Sequence, residues 1–364
     1  MDSEPTPFLT PPRAGRRAAL RRRRLRRRAG ASVGLSAIAV AAALSLTSTS
    51  GSATHRGSNA RAGADRAASL RARSAVPTSP AGLPLGAPAL ALGGLGNQAA
   101  DPVRQYFSVP PRAGLLFNLQ TGQVLWQRSP YERLPIASLT KMMTALVTAR
   151  DSASGALVPV TRQAAAMQGS KVGVLPVGRR VPIEALMYGL MLPSGNDAAV
   201  ALAQFVAGSV AGFVLRMNQE AARLGMACTR FSNPSGFYDR GNYSCPADLA
   251  ELAYADLSDR RVASVVRAPT AVVHFPIKGG KLYLTNNNPL LLYGYRGANG
   301  VKTGYTEAAG TCLVASAQRG GVRLAVVLLH SPAPGTQAQR LLDDAFQQVY
   351  HQPARPEATI PGGA

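Results

Sequence analysis

Apolar and polar positions fall into regular periods only from about Tyr106 onward. Leu115–Leu119 and Gln123–Gln127 are strand-like runs joined around Thr121-Gly122, which predicts a hairpin. After Pro135 comes a run of helix-forming apolar residues, Met142, Met143, Ala145, Leu146 and Val147, which predicts a helix with Ser138 as its N-cap or first-turn residue. Ile183–Leu192 and Asp197–Val206 read as two helices broken at Pro193-Ser194-Gly195-Asn196. Phe213–Leu224 has the spacing of an amphipathic helix ending at Gly225. Phe231–Ser244 reads as a loop, Asp248–Leu257 as a helix and Ala271–Phe275 as a strand. Val301-Lys302-Thr303-Gly304 opens the last block. Cys312–Gln318 and Leu324–Leu329 are apolar strands around Gly320-Gly321, and Gln337–Tyr350 closes the chain as a helix. Strands at both ends with helices between predict an α/β (α+β) fold. Its antiparallel sheet is built from both ends of the domain, with an inserted helical cluster. There are no internal repeats.

Upstream the pattern is different. Arg13 to Arg28 holds ten arginines, and Ala29 to Thr54 carries no charge at all. A basic region before an apolar segment of this length reads as an export signal or a single membrane anchor, its positive side kept in the cytoplasm. The stretch that follows is rich in Ala, Gly, Ser, Pro and Arg without a period, and reads as a flexible stalk. The expected organisation is a basic region over 1–28, a signal or anchor over 29–53, a stalk over 54–105, a folded domain over 106–351 and a tail over 352–364.

The formal charge is +22, with 40 Lys+Arg against 18 Asp+Glu. Such a balance raises nucleic acid as a partner. The densest arginines, however, stand directly before the apolar segment, where membrane topology accounts for them, so no nucleic-acid partner is expected. Among three cysteines, Cys228 and Cys245 flank a polar, turn-rich stretch, a possible disulfide if the domain is exported. Cys312 reads as a small buried hydrophobe. No Cys or His spacing suits a metal, so neither a metal site nor a cofactor is expected.

Three short patterns carry candidate chemistry: Ser138-x-x-Lys141, Ser194-Gly195-Asn196 and Lys302-Thr303-Gly304. Lys141 lies three residues beyond Ser138, so one helical turn brings an amine to the face of a hydroxyl. A Ser hydroxyl needs a neighbour to take its proton, and a lysine can do so only with a lowered pKa. Each pattern alone is commonplace: a solvated helix turn, a loop, a strand end. Together, in this order and in fitting local contexts, they form the known motif set of penicillin-binding proteins and class A β-lactamases; that link is a recognised pattern and not a derivation from spacing.

The surroundings extend the likeness. Ala137-Ser138-Leu139-Thr140-Lys141-Met142-Met143-Thr144, Asn288-Pro289-Leu290-Leu291 and Gly300-Val301-Lys302-Thr303-Gly304-Tyr305-Thr306 resemble serine D-alanyl-D-alanine carboxypeptidases, the low-molecular-mass penicillin-binding proteins, over roughly residues 106–351. The resemblance implies that Ser138 is acylated with Lys141 as its base, and that Ser194 and Asn196 relay a proton and hold the substrate amide. It also implies that Lys302 lends positive charge and that Thr303 binds the terminal carboxylate. Gly304, Tyr305 and Thr306 would line the substrate strand, with an oxyanion hole from the backbone N–H groups of Ser138 and Tyr305. The implied partners are peptidoglycan stem peptides, β-lactam inhibitors and, if the N-terminal segment is retained, the membrane. The implied location is extracytoplasmic, secreted or membrane-anchored, at the cell wall.

Within the same fold the alternatives are a β-lactamase or a DD-endopeptidase. Ser194-Gly195-Asn196 in place of Ser-Asp-Asn and the lack of an obvious Glu-x-x-Leu-Asn segment argue against the first. A catalytically silent wall-binding protein is the alternative from another class. One departure from the resemblance is Tyr254, where an arginine assisting carboxylate recognition is expected.

Overall fold

The computed structural model describes residues 77–237 and 240–352. The basic region, the signal or anchor segment, residues 54–76 and the tail from 353 lie outside the described residues. In chain order the elements are β1 (Ala113–Asn118), β2 (Val124–Arg128), β3 (Leu134–Pro135), α1 (Thr140–Asp151), β4 (Leu157–Pro159), α2 (Arg162–Ala165), β5 (Arg180–Pro182), α3 (Ile183–Met191), α4 (Asn196–Ala207) and α5 (Val210–Arg223). There follow β6 (Tyr243–Ser244), α6 (Pro246–Ser258), α7 (Arg260–Val266), β7 (Thr270–His274), β8 (Lys281–Thr285), α8 (Pro289–Leu292), β9 (Ala298–Thr306), β10 (Gly310–Arg319), β11 (Val322–Leu329) and α9 (Pro334–Asp344).

The main sheet runs β2-β1-β11-β10-β9, and all its pairings are antiparallel. The two ends of the chain meet at its centre, where Ala113 pairs with Leu329 and Asn118 with Leu324. Both faces are covered, so the strands read as continuous apolar runs whose alternate residues serve different cores. Leu115, Phe117, Val314 and Val327 join the core built with the inserted helices; Leu116, Leu313, Val326 and Leu328 join a second core with Leu341 and Phe346 from the closing helical segment. Helix α1 lies inside the helical cluster, with ten of its residues buried. Its apolar run is therefore the signature of a central helix rather than of an amphipathic one.

The stalk expected over 54–105 requires correction from Pro77 onward, because residues 77–105 lie against the domain. Leu90 and Val103 are buried, and Glu251 of α6 accepts hydrogen bonds from the Ala89 and Leu90 N–H groups, both at 2.9 Å. Gly93 bridges β2 through Gln123 and Val124, and buried Asp101 accepts from the backbone and side chain of Gln127. Composition hid this strap because its anchors are single residues, each meeting a partner far along the chain. Cys228 and Cys245 are disulfide-bonded, with Cα atoms 5.7 Å apart. The bond ties the start of the long loop to the residue before α6.

Candidate active site

Ser138 sits in a single 3-10 turn, Ala137–Leu139, that runs directly into α1. It is not the N-cap: that position falls to Leu139, and no side chain caps the helix. The Ser138 hydroxyl is thus left for another partner. That partner is Lys141, one turn on, whose Nζ lies 2.9 Å from Ser138 Oγ. The lysine is fully buried and also donates to Asn196 Oδ1 at 2.7 Å and to the Ser235 carbonyl at 2.8 Å. These two acceptors can absorb both N–H bonds of a neutral amine. A neutral Lys141 would then turn its lone pair to the Ser138 hydroxyl.

The electrostatics favour that neutral form. Burial, and after it the positive charge of Lys302, push the Lys141 pKa well below its ordinary value, against a smaller opposing pull from Asp197. Lys302 lies mid-strand in β9, is itself buried, and donates to the Thr303 carbonyl at 3.1 Å. Burial brings its pKa down to about 7.

Ser194 and Asn196 come from the break between α3 and α4. Ser194 takes a left-handed backbone conformation, φ 65°, and its buried Oγ has no hydrogen-bond partner. Asn196 is oriented by its Nδ2, which donates to the Gln168 carbonyl at 2.6 Å, so that Oδ1 faces Lys141. Asp197, expected only as a first-turn acid, also accepts from the Val172 and Gly173 N–H groups, both at 2.9 Å. It thereby ties the loop containing Ser170 to α4.

Gly304 explains how β9 can pass so close to Ser138. A Cβ there would stand 2.9 Å from the Ile136 carbonyl and 3.1 Å from the Ser138 backbone nitrogen. Only a glycine lets the strand reach the Ser138 amide. A cleft of about 460 Å³ opens over this junction, lined by Ser138, Ser170, Ser194, Asn287, Thr303 and Tyr305 among others. Ser138, Ser194, Thr303, Gly304 and Tyr305 therefore share one cavity, with Lys141, Asn196 and Lys302 buried beneath or beside it. Tyr305 is exposed at the mouth. Thr306 instead faces a neighbouring cleft, and its hydroxyl accepts from Ala309 N–H within the β9–β10 turn. Tyr254 lines neither cleft and is half-buried against the helical core.

The sequence reading missed the loop from Asn233 to Phe237. Asn233 Oδ1 accepts from the Ser235 and Gly236 N–H groups, folding the loop so that the Ser235 carbonyl meets Lys141. Thr144 of α1 clamps it by donating to the Pro234 carbonyl at 2.7 Å. The Asn-Pro-Ser-Gly turn chemistry was a usable signal for a tight turn, though not for what the turn supports. Asp248 lies beside Cys228 and Cys245, but the two sulfurs are bonded to each other and offer no thiolate to a metal.

Comparison with known proteins agrees with this geometry. The peptidase S11 family profile, described as D-alanyl-D-alanine carboxypeptidase, matches residues 100–333. The D-alanyl-D-alanine carboxypeptidase DacF of Bacillus subtilis (strain 168) is 34% identical over 250 residues, which is 66% of this chain and 64% of that protein. The D-alanyl-D-alanine carboxypeptidase of Streptomyces sp. (strain K15) is 34% identical over 71% of this chain and 94% of its own length. The chain thus spans a little under two thirds of the Bacillus protein and nearly all of the Streptomyces one. Among solved structures, the Streptomyces K15 DD-transpeptidase superposes with a TM-score of 0.62 at 32% identity, over 67% of this chain and 99% of that one. The carboxypeptidase DacD of Francisella tularensis gives 0.60 at 27% identity, over 68% and 71%. With a family match over well more than half its length and a serine–lysine pair at the heart of that match, the chain belongs to the D-alanyl-D-alanine carboxypeptidase family of serine peptidases.

Proposed function

We propose that this chain is a serine-type D-alanyl-D-alanine carboxypeptidase that removes the terminal D-alanine of peptidoglycan stem peptides through an acyl-enzyme on Ser138. The observation that carries the reading is the buried Lys141 amine, 2.9 Å from Ser138 Oγ, with its other hydrogens directed to Asn196 and Ser235. Neutral Lys141 takes the hydroxyl proton as Oγ attacks the penultimate carbonyl carbon. The oxyanion that develops is received by the backbone N–H groups of Ser138 and Tyr305. As the C–N bond breaks, the proton held on Lys141 passes by way of Ser194, whose buried hydroxyl has no competing partner, to the leaving amine. Water then attacks the ester, Lys141 accepts its proton, and Ser138 is regenerated with the shortened peptide released.

Thr303 and the charge of Lys302 hold the terminal carboxylate, and Asn196 positions the substrate amide. Penicillins, whose ring amide resembles the scissile bond, acylate the same serine. The work is extracytoplasmic at the cell wall, with residues 29–53 exporting or anchoring the domain behind the Arg13–Arg28 cluster. The test is D-alanine release from a diacyl-Lys-D-Ala-D-Ala peptide by the full chain and by Ser138→Ala. Release is expected in the first and a loss of at least about 10³-fold in the second. Equal release by both proteins would overturn the assignment.

A further inference from the structure

In the carboxypeptidase reading Thr303 holds the carboxylate of the departing D-alanine, yet the cleft carries on to Thr311 and Pro332. Those two residues also line a further cavity of about 370 Å³ at the end of the main sheet, where β1 and β10 start and β2 and β11 finish. The two spaces adjoin through them.

This further cavity is cationic and built in advance. Arg112, Arg128 and His330 line it, and no acidic residue does. Arg112 is taken up by Glu132, which accepts from its Nε at 2.7 Å. Arg128, exposed at the last position of β2, forms no ion pair among the described residues. His330, also exposed, holds a left-handed backbone, φ 50°. Its ring uses the space that Gly310 leaves open, since a Cβ there would stand 2.8 Å from His330 Nδ1. Buried Gln337 ties two sides of the cavity together: it accepts from Ser331 Oγ at 2.7 Å and donates to the Val109 carbonyl at 2.8 Å. A cationic pocket already fixed in place loses little in ordering when an anion enters it.

We propose that this cavity receives the far end of a departing group larger than D-alanine, a D-residue whose side chain continues into an arm ending in a carboxylate. Arg128 grips that carboxylate as a planar fork, and His330 donates a ring N–H to it. The chemistry at Ser138 is unchanged. The C–N bond between D-alanine and the D-residue breaks, the proton held on Lys141 passes by way of Ser194 to the leaving amine, and water hydrolyses the ester. Cleavage then takes place inside a branched peptide as well as at its end. The assignment rests on the carboxypeptidase reading of Ser138.

The test measures kcat/KM of the full chain at low salt on three diacyl-Lys-D-Ala-D-X peptides. X is alanine, lysine carrying an Nε-succinyl group, or lysine carrying the similarly sized but neutral Nε-butanoyl group. The succinyl peptide is expected to exceed the butanoyl one about tenfold, the worth of one charge-assisted contact at an open site. Arg128→Gln is expected to bring that ratio to about one and His330→Asn to lower it in part, while D-alanine release from the first peptide stays at the parent rate. Equal rates on the two long-armed peptides, a ratio that survives Arg128→Gln, or cleavage of neither while D-alanine is still released would overturn the assignment and leave the carboxypeptidase reading intact. Equal rates together with an Arg128-dependent rise in melting temperature on adding inorganic phosphate would overturn it too, and give the cavity to a free anion. Hydrolysis of none of the three by a folded chain would overturn both readings.

Discussion

Lys141→Met is expected to slow acylation of Ser138 by penicillin by about 10²–10⁴-fold, the range lost when a positioned general base is removed. Methionine is apolar, flexible and close to lysine in reach, so it can occupy the buried channel without opening a cavity. The substitution removes a desolvated amine but leaves Asn196 Oδ1 and the Ser235 carbonyl without their donor. Those two losses pull stability down by roughly 1–3 kcal/mol each, offset in part because no amine has to be buried. Adduct formation followed by intact-protein mass, beside a thermal melt, separates the chemical effect from the folding effect. A folded variant that acylates within tenfold of the parent would remove Lys141 from the role of base.

Lys302→Met is expected to move the acid limb of the acylation profile to higher pH. Acylation needs neutral Lys141, so the rate rises with pH through the Lys141 pKa. That pKa is held down by burial first and by the Lys302 charge second. Deleting the charge raises it, enlarges the protonated fraction at pH values below about 7, where Lys302 is charged, and lowers the rate there. A shift of one unit corresponds to about a tenfold loss at pH values well below the Lys141 pKa. The deficit should shrink as pH rises past about 7, where Lys302 itself loses its charge. A profile lowered equally at every pH would mean that Lys302 serves carboxylate binding alone, with no influence on its neighbour.

Much of the molecule was legible because its signals were local. The apolar runs of β1, β10 and β11, the break between α3 and α4, and the helix after Ser138 follow from period and punctuation over a few residues. The five residues Ser138, Lys141, Ser194, Asn196 and Lys302 stood out because three motifs occur in order. What stayed hidden depends on distance or on backbone. The Ser235 carbonyl that receives Lys141 is a group every residue possesses, so no residue type could announce it. The space constraint on Gly236, where a Cβ would overlap the Ala137 carbonyl, exists only once the loop is folded. The strap at 77–105 is pinned by Glu251 and Gln127, and the five-residue alternation of β8 was too short to separate from its surroundings. Tyr254, a position singled out by resemblance, is half-buried against the core and lines neither cleft.

The central claim is that Ser138 is the residue that becomes covalently acylated. The most direct measurement is the mass of the full chain after reaction with benzylpenicillin, followed by peptide mapping, in the parent and in Ser138→Ala. The expected result is a single added penicillin on the peptide containing Ser138, absent from the variant. An adduct on another residue, or a folded parent that gains no mass, would contradict the account.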